Sequence, residues 1–292
     1  MDVHLIDGTY ELFRQHFGRK GVGDVRGDYD GTVGVLRSVL MMVADGATHV
    51  GVASDHIIES FRNDLWPGYK TSEGMPPELL AQIPLLEEAL AAMGVTVWAM
   101  VEWEADDAMA SAAEVAKADP RVEQVLICTP DKDLGQCVGG KVVQVDRRNQ
   151  KVLDAAAVEA KFGVPPSSIA DYLALVGDSA DGFPGILGWG AKSAAAVLAR
   201  YGHLEDIPAA PGQWDVPGLR GASRLAQSLA RAFDQALLFR RIATVERDVP
   251  VGVVDDWRWS GPADPSAFAA LCEHIGAGEL PARVQALAAR RS

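Results

Sequence analysis

Short runs of apolar and β-branched residues recur through the first half of the chain and predict strands. They lie at residues 3–6, 49–53, 95–100, 125–128 and 142–145. Between most of them stand stretches with apolar residues at helical spacing, at residues 32–44, 77–93 and 105–118. This alternation predicts an α/β fold with a mainly parallel sheet flanked by helices.

The pattern changes near residue 154, where strand signals end and helical periodicity takes over. Helices are predicted at residues 155–162, 167–175, 191–201 and 223–242, and the segment rich in Pro and Gly at 208–221 is predicted to be a loop. The pair Pro165-Pro166 stands near the change. We therefore expect an α/β core over residues 1–163 and a helical subdomain over residues 164–292.

Composition narrows the class of protein. The 292 residues are 48% apolar, which is enough for a buried core. No run approaches the ~18 uncharged apolar residues of a membrane span, and the first residues lack a signal peptide, so we expect a cytoplasmic protein without membrane association. The three cysteines show no CxxC spacing, which argues against a disulfide framework or a zinc knuckle.

The net charge of -13 argues at first against a nucleic-acid partner, because phosphate binding draws on Lys and Arg. Acids that hold cations weaken that objection, since such a cluster is neutral or positive where it meets a ligand. The positions of the acids therefore matter more than their number.

Acidic residues stand at the ends of the predicted strands. Asp7 and Asp55 follow the first and second strands, and carboxyl ends of parallel strands line the ligand crevice of an open sheet. Glu104, Asp106 and Asp107 stand where the third strand gives way to a helix. Asp7 has the alternative of a simple turn, and acids in a first helical turn have the alternative of capping. Three acids in four residues exceed what capping needs.

Four further acids complete the pattern. Asp131 and Asp133 follow the fourth strand, and Asp178 and Asp181 stand where a predicted helix enters a turn. The histidines show no ligand spacing, and oxygen-only ligation favours Mg²⁺ or Mn²⁺ over zinc. Two such ions would activate a water and stabilise the leaving oxygen of a phosphoryl displacement. The nine acids thus predict metal-dependent phosphodiester hydrolysis.

A glycine-rich turn at residues 185–193 precedes a predicted helix. Backbone N–H groups at Gly188 and Gly190 can bind a phosphate at the start of the helix, with Lys192 and Ser193 beside them. A nucleotide-binding P-loop is disfavoured, because Ala191 separates Gly190 from Lys192 and a helix precedes the turn, so no nucleotide cofactor is expected. A plain helix–helix turn remains an alternative.

Several arginines downstream of this turn outnumber the acids around them. They can follow a duplex backbone, or they can be ordinary solvated helix positions. They are Arg220, Arg224, Arg231, Arg240, Arg241 and Arg247.

These pieces, in this order, resemble the prokaryotic 5′→3′ exonuclease and flap endonuclease family, which includes the N-terminal nuclease domain of bacterial DNA polymerase I. The resemblance covers roughly residues 3 to 248. It rests on Leu5-Ile6-Asp7-Gly8 with Arg14, Asp55 with Phe61-Arg62 and Tyr69-Lys70, Glu104-Ala105-Asp106-Asp107, Asp131-Lys132-Asp133, Gly177-Asp178-Ser179-Ala180-Asp181 and residues 185–193.

The resemblance implies a PIN-like α/β core and a helix–three-turn–helix element at about residues 177–201 that grips duplex DNA, with K⁺ as a further expected ion. It implies that the nine acids hold two divalent ions and that Lys70 reaches the scissile phosphate, with Asp7, Asp107 and Asp131 among the catalytic residues. It also places Arg62 with the DNA-binding residues. The expected substrates are DNA 5′ ends, flaps and nicks, and no polymerase sequence is present, so we expect a stand-alone nuclease.

The chain departs from the family pattern in three places. Glu73 stands where the family commonly has a basic residue in the arch over the 5′ strand, and no Lys or Arg occurs at residues 72–116. An acidic arch handles single-stranded phosphates poorly. Gly182 replaces a common Asn, and residues 56–59 lack a usual basic residue.

Two other functions stay open at this stage. One is a PIN-like metal-dependent ribonuclease, which would cleave RNA flaps faster than matched DNA flaps. The other is a non-catalytic DNA-junction binding protein, which would bind tightly without metal-dependent cleavage. The complete set of nine acids favours an enzyme over the second.

Overall fold

The computed structural model describes residues 1–18 and 28–291. Six strands and thirteen α-helices are described, in the chain order β1 (Asp2–Asp7), α1 (Gly8–Gly18), α2 (Asp30–Ala44), β2 (His49–Asp55), α3 (Phe61–Leu65), α4 (Pro77–Leu80), α5 (Gln82–Ala92), β3 (Thr96–Met100), α6 (Ala105–Ala118), β4 (Gln124–Cys128), β5 (Val142–Asp146), β6 (Lys151–Leu153), α7 (Ala155–Phe162), α8 (Ile169–Val176), α9 (Ala191–Tyr201), α10 (Ala222–Arg231), α11 (Phe233–Ala243), α12 (Pro265–His274) and α13 (Leu280–Arg291).

The chain forms two compact units that interleave along the sequence. The first unit contains Met1–Ile58, Ser72–Thr129 and Glu246–Ser292, and the second contains Glu59–Thr71 and Pro130–Val245. Each unit combines separate segments of the chain, so the units do not correspond to the predicted domains at residues 1–163 and 164–292. That division stays a prediction.

The first unit is built on parallel strands in the order β3-β2-β1-β4. All but the last residue of β2 are buried, as in parallel strands covered by helices on both faces. Asp7 pairs with Ala53 in the register of β1 and β2, and Asp55 pairs with Met100 in that of β2 and β3. Both acids therefore lie at the carboxyl edge of this sheet.

The second unit is mainly helical, with an antiparallel hairpin of β5 and β6. Its core contains Tyr69, Phe183, Trp189 and Phe239. Helix α8 ends at Gly177, whose φ of +85° favours glycine, and the chain then turns back so that Ile186 N–H donates to Leu175 O at 2.9 Å. After these turns α9 begins at Ala191, so two helices flank the turns as expected of the predicted helix–three-turn–helix element.

The structure confirms the predicted α/β class but corrects several elements. The helix predicted over residues 77–93 is two helices separated at Ala81, because Pro84 has no N–H to donate to the preceding turn. The helix predicted over 223–242 is likewise divided at Ala232. Helix α1 directly follows Asp7 where a turn was the alternative. None of the described helices is long and apolar enough to cross a membrane.

Candidate metal-binding sites

Asp7 and Asp55 of the first unit are held by hydrogen bonds at the edge of the sheet. Tyr10 N–H donates to Asp7 Oδ1 at 2.8 Å, and Thr129 Oγ donates to Asp7 Oδ2 at 3.0 Å. Ala105 N–H donates to Asp55 Oδ1 at 2.8 Å. Each carboxylate thus joins its strand to the start of a helix, which fixes its direction.

Asp107, like Asp7, accepts a hydrogen bond at each carboxylate oxygen, and both of its donors are backbone N–H groups. It is 0% exposed, and its Oδ2 accepts from Glu104 N–H at 2.9 Å while its Oδ1 accepts from Glu246 N–H at 2.8 Å. Glu104 is buried and Asp106 is half-buried at the same helix start. The capping alternative raised by the sequence therefore applies to Asp107, whose two oxygens both serve backbone donors.

One glutamate of the acidic stretch has a partner that the sequence did not show. Glu87 Oε1 accepts from Ser54 Oγ at 2.6 Å, and Glu87 Oε2 lies 2.6 Å from His56 Nδ1. The Glu87 side chain is only 11% exposed. Glu87 thus connects α5 to the end of β2 through these contacts. Its charge does not add to the acidic arch expected over the 5′ strand of DNA.

Three carboxylates of the second unit cluster closely enough to hold one metal ion. Asp133, Asp178 and Asp181 each offer one oxygen, and these oxygens lie within 4.8 Å of one another. Asp133 is 8% exposed, and its buried Oδ1 has no hydrogen-bond partner among the described residues. Asp131 is exposed, and its Oδ1 accepts from Asp133 N–H at 2.9 Å.

The charges in this cluster are poorly balanced. Burial, followed by the neighbouring charges of Asp131 and Asp181, raises the pKa of Asp133 well above its ordinary value. Lys132 Nζ forms an ion pair with Asp178, and Lys70 Nζ lies 3.1 Å from Asp181 Oδ1. Two lysines against four acids leave an excess of negative charge.

The pKa of Lys132, which lies between Asp131 and Asp133, is shifted by its surroundings. Burial disfavours the charge on Lys132, but its hydrogen bond to Asp178 and the fields of Asp133 and Asp178 outweigh that effect and raise its pKa. Lys132 was not among the site residues predicted from the sequence, although its place between Asp131 and Asp133 is a signal that could have identified it.

A divalent cation fits the second unit's cluster. Hard cations prefer carboxylate oxygens, and a buried oxygen without a donor needs either a cation or a proton. The cluster therefore has the composition of a metal site, although Asp131 and Asp178 each also accept a local backbone N–H.

Lys70 is placed by an interlock between two distant segments. Lys70 N–H donates to Asp181 O at 3.0 Å, and Trp66 Nε1 donates to Gly182 O at 3.1 Å. Gly182 has a φ of +81°, and a Cβ there would lie 2.0 Å from Gly68 O. Glycine is therefore required at 182 in this structure, which explains the departure from the common Asn.

Arg62 does not have the position expected of a DNA-binding residue. It is 2% exposed, and its Nε and Nη2 donate to Ile242 O at 2.8 Å and Thr244 O at 3.0 Å. Arg62 thus satisfies carbonyls at the end of α11, where helix carbonyls lack partners. Its charge does not reach the surface.

The glycine-rich turn, by contrast, lies at the surface. Gly188, Gly190 and Lys192 are exposed, and Ser193 is half-buried. Ser193 Oγ accepts from Gly190 N–H at 3.1 Å and donates to Gly190 O at 2.9 Å, so it closes the first turn of α9. The other three are accessible to a ligand.

Two family models match consecutive segments that together cover residues 2–265. Residues 2–163 match the 5′-3′ exonuclease N-terminal resolvase-like domain, and residues 164–265 match the 5′-3′ exonuclease C-terminal SAM fold. These matches confirm the resemblance found in the sequence.

Individual relatives agree with the family models. The chain is 31% identical over 284 residues to DNA polymerase I of Pseudomonas aeruginosa, covering 93% of this chain and 30% of the polymerase. It is 33% identical over 208 residues to a 5′-3′ exonuclease of Aquifex aeolicus, covering 70% of this chain and 71% of that protein. The chain thus spans about a third of the polymerase but most of the exonuclease.

A solved structure shares the fold at low identity. The bacteriophage T5 D15 flap endonuclease, in a complex with DNA and metal ions, has a TM-score of 0.65 and 18% identity, covering 99% of both chains. This likeness supports the architecture described above.

Proposed function

Because this chain belongs to the 5′-3′ exonuclease family, we propose that it is a structure-specific 5′ nuclease that hydrolyses DNA phosphodiester bonds with divalent metal ions. The observation that carries the proposal is the cluster of Asp133, Asp178 and Asp181 with its unsatisfied buried oxygen. Clustered carboxylates that lack enough counter-charges are suited to hold catalytic cations.

The proposed ligands come from both units. Asp131, Asp133, Asp178 and Asp181 serve in the second unit, and Asp7, Asp55, Glu104 and Asp106 serve in the first. Asp107 is the ninth proposed ligand, and its hydrogen bonds to two backbone donors also position the start of α6. Two Mg²⁺ or Mn²⁺ ions, when bound, supply the polarisation of phosphate and the activation of water that hydrolysis needs.

Lys70 is the proposed contact to the scissile phosphate. Its Nζ lies beside Asp181, a proposed ligand, and its side chain is 28% exposed and thus accessible. A lysine ammonium is a compact point charge that stabilises developing charge on a phosphoryl oxygen. The backbone bond from Lys70 to Asp181 holds the two residues in register.

DNA binding is assigned to the surface turn that precedes α9. Gly188 and Gly190 are exposed at this turn and Lys192 adds charge, which suits a duplex backbone, while Gly190 N–H itself is held by Ser193 Oγ. The proposed substrates are 5′ ends, flaps and nicks, and K⁺ at this turn stays a prediction. A cytoplasmic location is part of the same proposal.

The test is a time course on flap, nicked and blunt DNA, with Mg²⁺, Mn²⁺ or EDTA. We expect cleavage near the 5′ end or junction with either ion and none with EDTA. Lys70→Met is expected to lower kcat while leaving duplex affinity within about twofold, whereas the matched variant Lys141→Met leaves both unchanged.

Matched RNA and DNA flaps distinguish the rival functions. Faster cleavage of RNA would favour a ribonuclease and overturn the proposed substrate. Tight binding of junctions without cleavage under any metal condition would favour a binding protein and overturn the enzymatic role.

A further inference from the structure

Gln144 is a polar residue in the buried part of β5. It stands between Val143 and Val145 in the sequence, yet it is only 1% exposed, whereas Val143 is 8% exposed. Burying an amide costs free energy unless its donors and acceptors are hydrogen-bonded. A glutamine at this position therefore needs partners that an apolar residue would not.

The amide of Gln144 is bound on one side and unsatisfied on the other. Its Nε2 donates to the backbone O of Asp131, whereas its Oε1 is buried and has no hydrogen-bond partner among the described residues. Turning the amide over would bring Oε1 against the carbonyl of Asp131, where two acceptors repel each other. The bond to Asp131 therefore fixes the direction of this side chain.

The unsatisfied oxygen makes Gln144 unfavourable for stability. A buried acceptor without a donor costs more free energy than one ordinary hydrogen bond contributes. An apolar side chain of the same length would occupy this part of β5 without that cost. The bond to Asp131 is thus the contribution of Gln144 that an apolar residue could not make.

The segment that Gln144 binds carries two acids of the proposed metal site. Asp131 Oδ1 accepts from Asp133 N–H at 2.9 Å, and Gln136 Nε2 donates to Asp133 O at 2.8 Å. The backbone carbonyl of each acid therefore accepts from the side-chain amide of a buried glutamine. These bonds define the bend that places the two acids beside each other.

The two glutamines differ in their other contacts. Gln136 Nε2 also donates to Ala243 O at 2.9 Å, and its Oε1 accepts from Val245 N–H at 3.2 Å. Gln136 therefore joins the acidic segment to the end of α11 and stabilises the fold. For Gln144, the carbonyl of Asp131 is the hydrogen-bond partner of the amide among the described residues.

We propose that Gln144 is a positioning residue for the metal cluster, because its amide holds the backbone of Asp131 where the carboxylate can serve a divalent ion. This role rests on the proposed function, which assigns Asp131 and Asp133 to metal binding. Groups that orient the ligands of an ion change its affinity without touching it. Asp131 is exposed, so the bond to its backbone restricts a residue that the core does not enclose.

The first test measures Mn²⁺ binding by calorimetry in the absence of DNA. Gln144→Met keeps the length of the side chain and removes the amide, and we expect it to weaken Mn²⁺ binding roughly tenfold. Asp133→Asn is the reference for a lost ligand. Gln227→Met, at an exposed position of α10 in the same unit, is the control and should bind like the wild type. Unchanged affinity in Gln144→Met would overturn the positioning role.

Thermal unfolding in EDTA separates positioning from a role in the fold. Gln144→Met should unfold at or above the wild-type temperature, because it removes a buried unsatisfied oxygen and water can reach the exposed Asp131. Gln136→Met should unfold at a temperature roughly 5 °C lower, since three backbone groups lose a partner. A loss in Gln144→Met as large as that in Gln136→Met would assign Gln144 to the fold and contradict the proposal.

Cleavage of a flap duplex at several Mg²⁺ concentrations extends the test to the bound substrate. The half-saturating Mg²⁺ concentration should rise roughly tenfold in Gln144→Met. High Mg²⁺ should restore most of the rate, because all of the proposed ligands remain. A half-saturating concentration equal to that of the wild type would count against positioning by Gln144.

The outcomes separate this role from the proposed function. If wild type and Gln144→Met cleave DNA flaps with the same Mg²⁺ requirement, the positioning role is wrong and the nuclease stands. Weaker Mn²⁺ binding by Gln144→Met in a protein that cleaves no substrate supports the positioning role and contradicts the nuclease. A wild-type protein that binds no divalent ion overturns both.

Discussion

The two units of the protein hold their carboxylates by different means. In the first unit, Asp7, Asp55 and Asp107 accept hydrogen bonds from backbone N–H groups. In the second, Asp131 and Asp178 also accept one backbone N–H each, but Asp178 and Asp181 pair with Lys132 and Lys70, and Asp133 keeps a buried oxygen without a donor among the described residues. Backbone N–H donors are fixed in place by the secondary structure, whereas a lysine side chain can move away when a metal ion binds the carboxylate.

This difference shows why acids with the same sequence signal need different tests. A carboxylate bound by backbone donors stabilises the protein whether or not it touches a metal. A carboxylate crowded by like charges in a buried place destabilises the protein until a cation arrives. Substitutions should therefore change stability in opposite directions in the two groups.

The largest expected effect is on catalysis. Asp133→Asn should lower the cleavage rate on the order of 10³-fold, because metal stabilisation of phosphoryl transfer is worth several kcal/mol and each 1.36 kcal/mol is tenfold. Single-turnover cleavage of a flap duplex measures it. Asp234→Asn, an exposed acid of the same unit, should cleave normally, and equal rates for all three proteins would refute the second unit's role.

A large effect on stability is expected at Asp107. Asp107→Ala should lower the free energy of unfolding by about 2–4 kcal/mol, because two backbone donors lose their acceptor. Urea denaturation in EDTA measures it, with the exposed Glu102→Gln expected to stay within about 0.5 kcal/mol of wild type. A change below that size would show that the backbone bonds of Asp107 contribute little.

Arg62 lies in the second unit but binds backbone groups, as the acids of the first unit do. It therefore tests whether binding to the backbone, rather than membership of a unit, makes a substitution destabilising. Arg62→Met should lower the free energy of unfolding by about 2 kcal/mol, since it leaves the carbonyls of Ile242 and Thr244 without a charged donor. Duplex affinity of the folded variant should match wild type in fluorescence anisotropy. Intact stability with lost affinity would return Arg62 to the DNA-binding residues.

The smallest expected effect has the opposite sign. Asp133→Asn should modestly raise the free energy of unfolding in EDTA, because it removes a buried charge that the neighbouring acids disfavour. Folding raises the pKa of Asp133 above the value near 3.8 that the side chain has in the unfolded chain. As pH rises above 3.8, ionisation of Asp133 therefore lowers the free energy of unfolding of the wild-type protein. The wild-type protein should therefore lose stability relative to Asp133→Asn across that range.

At neutral pH, added Mg²⁺ should make the wild-type protein more stable than Asp133→Asn, the reverse of their order in EDTA. A ligand that binds only the folded state stabilises it, and Asp133→Asn lacks a proposed ligand. Thermal unfolding with and without Mg²⁺ checks both signs. A wild-type protein that is more stable than the variant in EDTA would contradict the crowding of charge at Asp133.

The sequence predicted the elements whose signals are periodic and missed those that depend on single residues. Helix α12 was missed although Asp264-Pro265 is a strong start, with Asp264 Oδ1 accepting from Ser266 and Ala267 N–H at 2.9 and 3.0 Å. Pro84 likewise signalled the break at Ala81. The break at Ala232 has no Pro or Gly, so no single residue in the sequence signals it.

For the candidate sites, sequence position indicated which acids stand at the ends of elements but not which atoms bind them. Asp107 and Asp106 are adjacent and chemically alike, yet only Asp107 is fully enclosed. Arg62 and Arg231 are both arginines, and one caps a buried helix end while the other stays unpaired. Such differences arise from tertiary contacts between distant segments, which periodicity does not report.

The interlock of Trp66 and Lys70 with Asp181 and Gly182 has a consequence for the newly made chain. Residues 59–71 leave the ribosome about 110 residues before their partners, which at roughly 5–20 residues per second is a delay of about 5–20 s. During that interval the N–H of Lys70 and the Nε1 of Trp66 lack the acceptors that they have in the folded protein. Lys70 therefore acquires its alignment only after Asp181 and Gly182 have been synthesised, and a chain that terminates before residue 181 lacks both acceptors.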